Sequence, residues 1–165
     1  MAGSDEPQNK GMKQTKPGSA WSFAAYPCVG RTIAGWAEAS SMHYDPDKPV
    51  DAAEWLALDE GEQQLMVERY HKRAHVRLPS PRVHAIIHAA IETQVAHGHA
   101  AASRALERML AEGLERHDAV HAVGSVLAKH MFGIMKHGQP FDDKAYASDL
   151  DVLSAEQWRA ESRED

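Results

Sequence analysis

From Asp51 to Trp158 the chain alternates between runs with apolar residues three and four apart and short breaks of Gly, Pro or a capping side chain, the pattern of amphipathic helices. Asp51 reads as an N-cap, with Glu54 three residues on completing a capping box before Trp55, Leu56 and Leu58. Asp59 and Glu62 repeat that pattern, and Gly61 weakens the helix between them. The spacing predicts a short helix over 52–58 and a longer one over 60–75, with Leu65, Met66, Val67, Tyr70 and Val76 as its apolar positions. Leu78-Pro-Ser-Pro81 stops it, because each proline disfavours helix in the residue before it. Ser80 as N-cap and Pro81 at the first helical position then open a helix that runs to about His97, with Gly98 just beyond. The next covers 100–112, with Leu106, Met109 and Leu110 inward and Gly113 closing it. Another starts between Glu115 and Asp118 and continues through Val120, Val123, Leu127, Met131 and Ile134 to Lys136, where Gly138-Gln-Pro140 ends it. Ser154 with Gln157 opens a short final helix through Trp158. No strand period or hairpin signal interrupts the series. The expected fold class is all-α, an up-down bundle of about four main helices with short flanking helices.

Outside the helical runs, residues 1–20 are rich in Gly, Ser, Lys, Gln and Pro and read as a disordered leader. Trp21, Phe23, Tyr26, Ile33 and Trp36 follow without a clean period, as a short helix or an extended segment packed on the bundle. Tyr44-Asp-Pro-Asp-Lys-Pro49 is turn chemistry. The expected organisation is a single helical domain over 21–160 and a frayed charged tail over 161–165.

Composition narrows the function classes. The 165 residues carry a net charge of −6, which gives no basic footprint for nucleic acid. No run of eighteen apolar residues offers a membrane span, and the long polar leader argues against a signal peptide. The single cysteine, Cys28, rules out an internal disulfide and fits a reducing cytoplasm; it reads as a small buried residue. No phosphate-cradling Gly loop, nucleophile elbow or base-reading motif is present. The departure from ordinary composition is histidine, with eleven in the chain and most of them between His71 and His137.

The histidines are spaced for helices. His84-Ala-Ile-Ile-His88, with Glu92 four residues further, and His117-Asp-Ala-Val-His121 each stack two imidazoles on one helical face. Short loops imply antiparallel neighbours. His84 and His88 then occupy the first two turns of one helix, and His117 and His121 the first two turns of another pointing the same way. Glu68 and His71 sit near the end of the preceding, opposed helix. Loop lengths and helix direction alone therefore bring Glu68, His71, His84, His88, His117 and His121 to one end of the bundle. At about 100° per residue, His84, His88, Ile91 and Val95 share a narrow arc, so the imidazoles face the apolar side.

A buried imidazole needs a partner for each ring nitrogen. The candidate metal ligands are His84, His88, His117 and His121, with Glu92, His71 and Glu68 completing or flanking them, and the mixture suits Zn, Fe, Mn or Ni better than Ca or Mg. Glu68-Arg-Tyr-His71 has the Glu-x-x-His spacing used in di-metal bundles. Two readings without metal stay open: a polar core in which the histidines satisfy one another, and a non-enzymatic interaction or pH-responsive module. His117-Asp-Ala-Val-His121 is a shortened cousin of the H-E-x-x-H peptidase helix but lacks its Glu, and Asp118 is more simply a capping residue. Gln94 either donates to a ligand carboxylate, the reading preferred, or faces water, and His75, His97, His99, His130 and His137 are expected to be solvated. No substrate or protein partner is specified.

Glu54-Trp-Leu-Ala-Leu-Asp-Glu60, Tyr70-His71, Leu78-Pro79, His84-Ala-x-x-His88-x-x-x-Glu92-x-Gln94 and Gly113-Leu-x-Arg-His-Asp-Ala-Val-His-Ala122 form a recognisable set. Over about Tyr44–Phe132 it resembles an uncharacterised family of small bacterial proteins that share a domain of unknown function. His71, His84, His88, Glu92, His117 and His121 all fall on the shared pieces. Where the family pattern has Asn before Gln94, this chain has Thr93. The resemblance supports the site and implies no activity.

Overall fold

The computed structural model describes residues 43–76 and 80–161, all within the compact unit Glu38–Asp165. The expectations for residues 1–20, for Trp21–Met42 with Cys28, for Leu78 and Pro79 and for the tail after Glu161 lie outside the described residues. Among those described there are seven helices and no strand: α1 (Ala52–Ala57), α2 (Glu60–Arg73), α3 (Pro81–Ala96), α4 (Ala100–Ala111), α5 (Arg116–His137), α6 (Asp143–Val152) and α7 (Ala155–Glu161). The fold is an all-α bundle. No helix among the described residues is long and apolar enough to cross a membrane.

Local chemistry accounts for most boundaries. The Asp51 carboxylate accepts from the Glu54 amide, and Asp59 forms a complete capping box with Glu62. Ser80 occupies the N-cap of α3, but its side chain makes no capping bond; Pro81 sets the start instead. Gly98 and Gly113 follow α3 and α4 with φ of 72° and 84°, a left-handed turn that a Cβ would strain. Helix α6 is absent from the periodicity reading. Asp142 caps it by accepting from the Lys144 and Ala145 amides, and only Tyr146 and Leu150 are buried along it.

Helix α3 is the centre of the arrangement, packed on α1, α2, α4 and α5. Its Ala85 and Ala89 join Tyr44, Trp55 and Val67 in one apolar cluster. Its Ile91 joins a larger one with Met109, Val120, Val123, Tyr146 and Leu150 from α4, α5 and α6. Leu65, Val76, Leu110 and Met131, expected among the apolar inward positions, are exposed.

The approach of α3 to α5 depends on Gly124. A Cβ there would lie 2.7 Å from Ile87 Cγ2, and a β-branched side chain has little rotamer freedom with which to retreat. Gly124→Ala is therefore expected to destabilise the protein by about 1–3 kcal/mol through overpacking, outweighing alanine's helix preference of about 1 kcal/mol. Urea unfolding measures it; a variant as stable as the parent would mean that Ile87 turns aside.

Candidate metal centre

The first two turns of α3 and α5 and the last turn of α2 meet at one end of the bundle. There the imidazoles of His71, His84, His88, His117 and His121 converge, one ring nitrogen from each lying within 4.8 Å of all the others. His71 and His88 are buried, and the other three are half-buried. His71 Nε2 is 3.0 Å from His84 Nε2 and 3.2 Å from His117 Nε2, and His84 Nε2 is 3.4 Å from His121 Nε2. These are the separations of neighbouring ligands on one ion. With metal–nitrogen bonds of about 2.1 Å, adjacent donors lie about 3.0–3.4 Å apart and opposite ones about 4.2 Å. The widest spacing of 4.8 Å would close only slightly around such an ion.

Hydrogen bonds on the far side of two rings set their orientation. His71 Nδ1 donates to the Val67 carbonyl at 2.9 Å, which leaves Nε2 as the lone pair facing the cluster. His88 Nδ1 lies 2.9 Å from the Tyr44 hydroxyl. Among the described residues, His88 Nε2 is the buried side-chain nitrogen or oxygen with no hydrogen-bond partner.

Burial keeps the cluster neutral. It pushes the His84 imidazole down to about 4 and the His121 imidazole to about 3, in each case with the charge that neighbouring imidazoles would carry as the next cause. His71, His88 and His117 are lowered as well, again chiefly by burial. Burial, with the Glu92 charge behind it, raises the Tyr44 hydroxyl well above the usual phenol range, so it keeps its proton. A neutral imidazole is the form that binds a metal.

Five of the seven expected ligands thus come together, and the two carboxylates do not. Glu92 is fully buried but turned from the imidazoles into the seam between α3 and α5. Arg116 Nη1 and Nη2 bind its two oxygens at 2.8 and 2.6 Å, and the Tyr44 hydroxyl donates to Oε1 at 3.2 Å. Arg116 Nη1 also donates to the Pro46 carbonyl at 2.7 Å. Glu68 is half-buried on α2 and outside the converging group. Gln94 holds no ligand carboxylate; it accepts from the Tyr146 hydroxyl at 2.9 Å and anchors α6. Asp118 is exposed in the first turn of α5, where Glu115, not Asp118, is the N-cap.

Tyr44 and Arg116 were not singled out by sequence. Tyr44 lies 44 residues from His88 in the irregular segment before α1, so no helical period links them. Arg116 had two signals, its place directly before His117 at a helix start and its position in the Gly113–Ala122 motif. Two histidines expected to be solvated hold α6 instead: His99 Nε2 is 3.1 Å from Asp143, and His130 Nε2 is 2.8 Å from Asp149.

Solvent partly reaches His84, His117 and His121. An open cavity of ≈ 500 Å³ is lined by Gly113, Leu114, Glu115, Asp118, Trp158 and Arg159, and His121 forms part of its wall. No curated protein and no solved structure matches the chain. A family model described as Domain of unknown function (DUF1841) matches residues 54–152, a span that contains all five converging histidines. That match covers more than half of the 165 residues, and the protein belongs to this family.

Proposed function

We propose that the protein binds one divalent transition-metal ion through His71, His84, His88, His117 and His121. The observation that carries this reading is His88 Nε2, a buried nitrogen without a partner at the meeting point of four other imidazoles. An unsatisfied buried polar atom costs about 1–3 kcal/mol, and a metal bond would remove that cost. The nitrogen-only donor set favours Zn or Fe, with Ni and Cu as competitors. Mn is less suited, because Glu92 is taken up by Arg116 and supplies no oxygen. A bound ion of this kind would bring Lewis acidity, and Fe would add redox chemistry. His71, His84, His117 and His121 lie close enough to share hydrogen bonds in a metal-free polar core, but that arrangement leaves His88 Nε2 unpaired.

Metal analysis of the purified full chain, followed by titration of the stripped protein with Zn(II), tests the reading. The expected result is one ion per chain. Free zinc at about a thousand times its Kd should raise the unfolding free energy by about 4 kcal/mol, with reversal by a chelator. His88→Ala, or His121→Ala should the buried variant not fold, is expected to lose this stabilisation. A protein isolated without metal that takes up none of Zn(II), Fe(II), Ni(II) or Cu(II) would establish the histidines as a polar core.

A further inference from the structure

Tyr44 precedes α1, and its hydroxyl lies between two groups with opposite needs. His88 Nδ1 is 2.9 Å away on one side, and Glu92 Oε1 is 3.2 Å away on the other. Glu92 accepts from Arg116 on both oxygens, and a carboxylate paired in this way only accepts. The single hydroxyl proton of Tyr44 is therefore committed to Glu92. Its oxygen can then meet His88 Nδ1 only by accepting, which requires the proton of the neutral imidazole to sit on Nδ1. The alternative tautomer would face a lone pair against the Tyr44 oxygen with no proton between them. It would also place an N–H at Nε2, where no hydrogen-bond partner lies.

We propose that Tyr44 is a positioning residue for the metal centre: its hydroxyl, oriented by the Glu92–Arg116 pair, holds His88 in the tautomer whose Nε2 is free to ligate. This deepens the metal-binding reading and rests on it. The direction of the chain from Arg116 through Glu92 and Tyr44 to His88 follows from the acceptor-only carboxylate. Such outer partners fix ring orientation and raise the basicity of the coordinating nitrogen, and losing one typically weakens metal binding 10–100-fold. The Tyr44 ring also packs on Trp55 and Tyr70, with centroids 5.7 and 6.0 Å away. Tyr44→Phe keeps that packing and removes only the oxygen.

The test uses the metal-free full chain at pH 7.5 with ¹⁵N-labelled histidine rings, read by long-range ¹H–¹⁵N correlation. In the parent, His88 is expected to show a protonated Nδ1 and a bare Nε2. In Tyr44→Phe the proton should redistribute toward Nε2, and Zn(II) affinity should fall about 10–100-fold. A parent His88 protonated at Nε2 overturns the inference, as does a Tyr44→Phe protein with unchanged tautomer and unchanged affinity. Should Tyr44→Phe not fold, the parent decides alone. Its His88 Hδ1 must be protected from exchange and give an Overhauser contact to the Tyr44 ring protons, and absence of that contact overturns the proposal. A parent chain that takes up none of Zn(II), Fe(II), Ni(II) or Cu(II) overturns the metal reading and the positioning role together. Zn(II) binding that is indifferent to Tyr44→Phe overturns the positioning role alone.

Discussion

Arg116→Met is expected to cost about 3–5 kcal/mol of folding free energy, the range for stripping one partner from a buried ion pair. The Glu92 side chain has 0% exposure and that of Arg116 has 9%, so water reaches neither end of their two-point contact. Removing the guanidinium leaves a carboxylate in the seam with one weak donor, the Tyr44 hydroxyl at 3.2 Å. It also frees the Pro46 carbonyl, which ties the segment before α1 to the start of α5. The cost comes from the charge left behind more than from the attraction lost. The double variant Arg116→Met/Glu92→Leu should therefore recover most of the stability, since a buried pair replaced by apolar groups is often neutral. Urea unfolding of both variants separates the two effects. A single variant within about 1 kcal/mol of the parent would mean that the carboxylate finds water or a proton, against the packing described.

The metal-free protein is expected to lose stability steeply as pH falls from about 7 to 5. Unfolded histidines take up protons near pH 6.5. In the folded protein His84 resists protonation until about 4 and His121 until about 3, with His71, His88 and His117 lowered by the same burial. Across that window the unfolded chain binds protons that the folded chain refuses, so unfolding gains. From about pH 7.5 upward both states are essentially neutral and the contribution is flat. Each histidine titrating only in the unfolded state removes about 1.4 kcal/mol per pH unit. Fewer than five register in full, because solvent partly reaches His84, His117 and His121. Urea midpoints at pH 7.5, 6.5, 5.8 and 5.0 measure the slope. A flat profile would mean that the cluster opens to water and takes protons while folded.

The fold and the five imidazoles were legible because both rest on helical period and loop length. His84/His88 and His117/His121 are one turn apart, and short connections leave little choice about which helix ends meet. Side-chain rotation within a meeting face was not legible. Glu92 sits about 40° round the helix from the His88 line, and Glu68 about 60° from His71. Those angles decide whether a carboxylate enters the ring or the neighbouring seam. What settled Glu92 was a competitor, the guanidinium of Arg116, 24 residues away. Helix α6 escaped notice because its two buried side chains, Tyr146 and Leu150, are too few to show a period, and its ties are polar ones to Gln94, His99 and His130.

The pairing of Glu92 with Arg116 also bears on selectivity among ions. Five neutral imidazoles beside a carboxylate already balanced by a guanidinium form a ring with no negative charge of its own. Mg²⁺ and Ca²⁺ enter protein sites by exchanging water for anionic and carbonyl oxygens. Neither finds any in this ring. If the proposed site binds metal, only an ion that gains from nitrogen itself would have reason to enter, so the arginine that withdraws one carboxylate would also turn away the most abundant divalent cations.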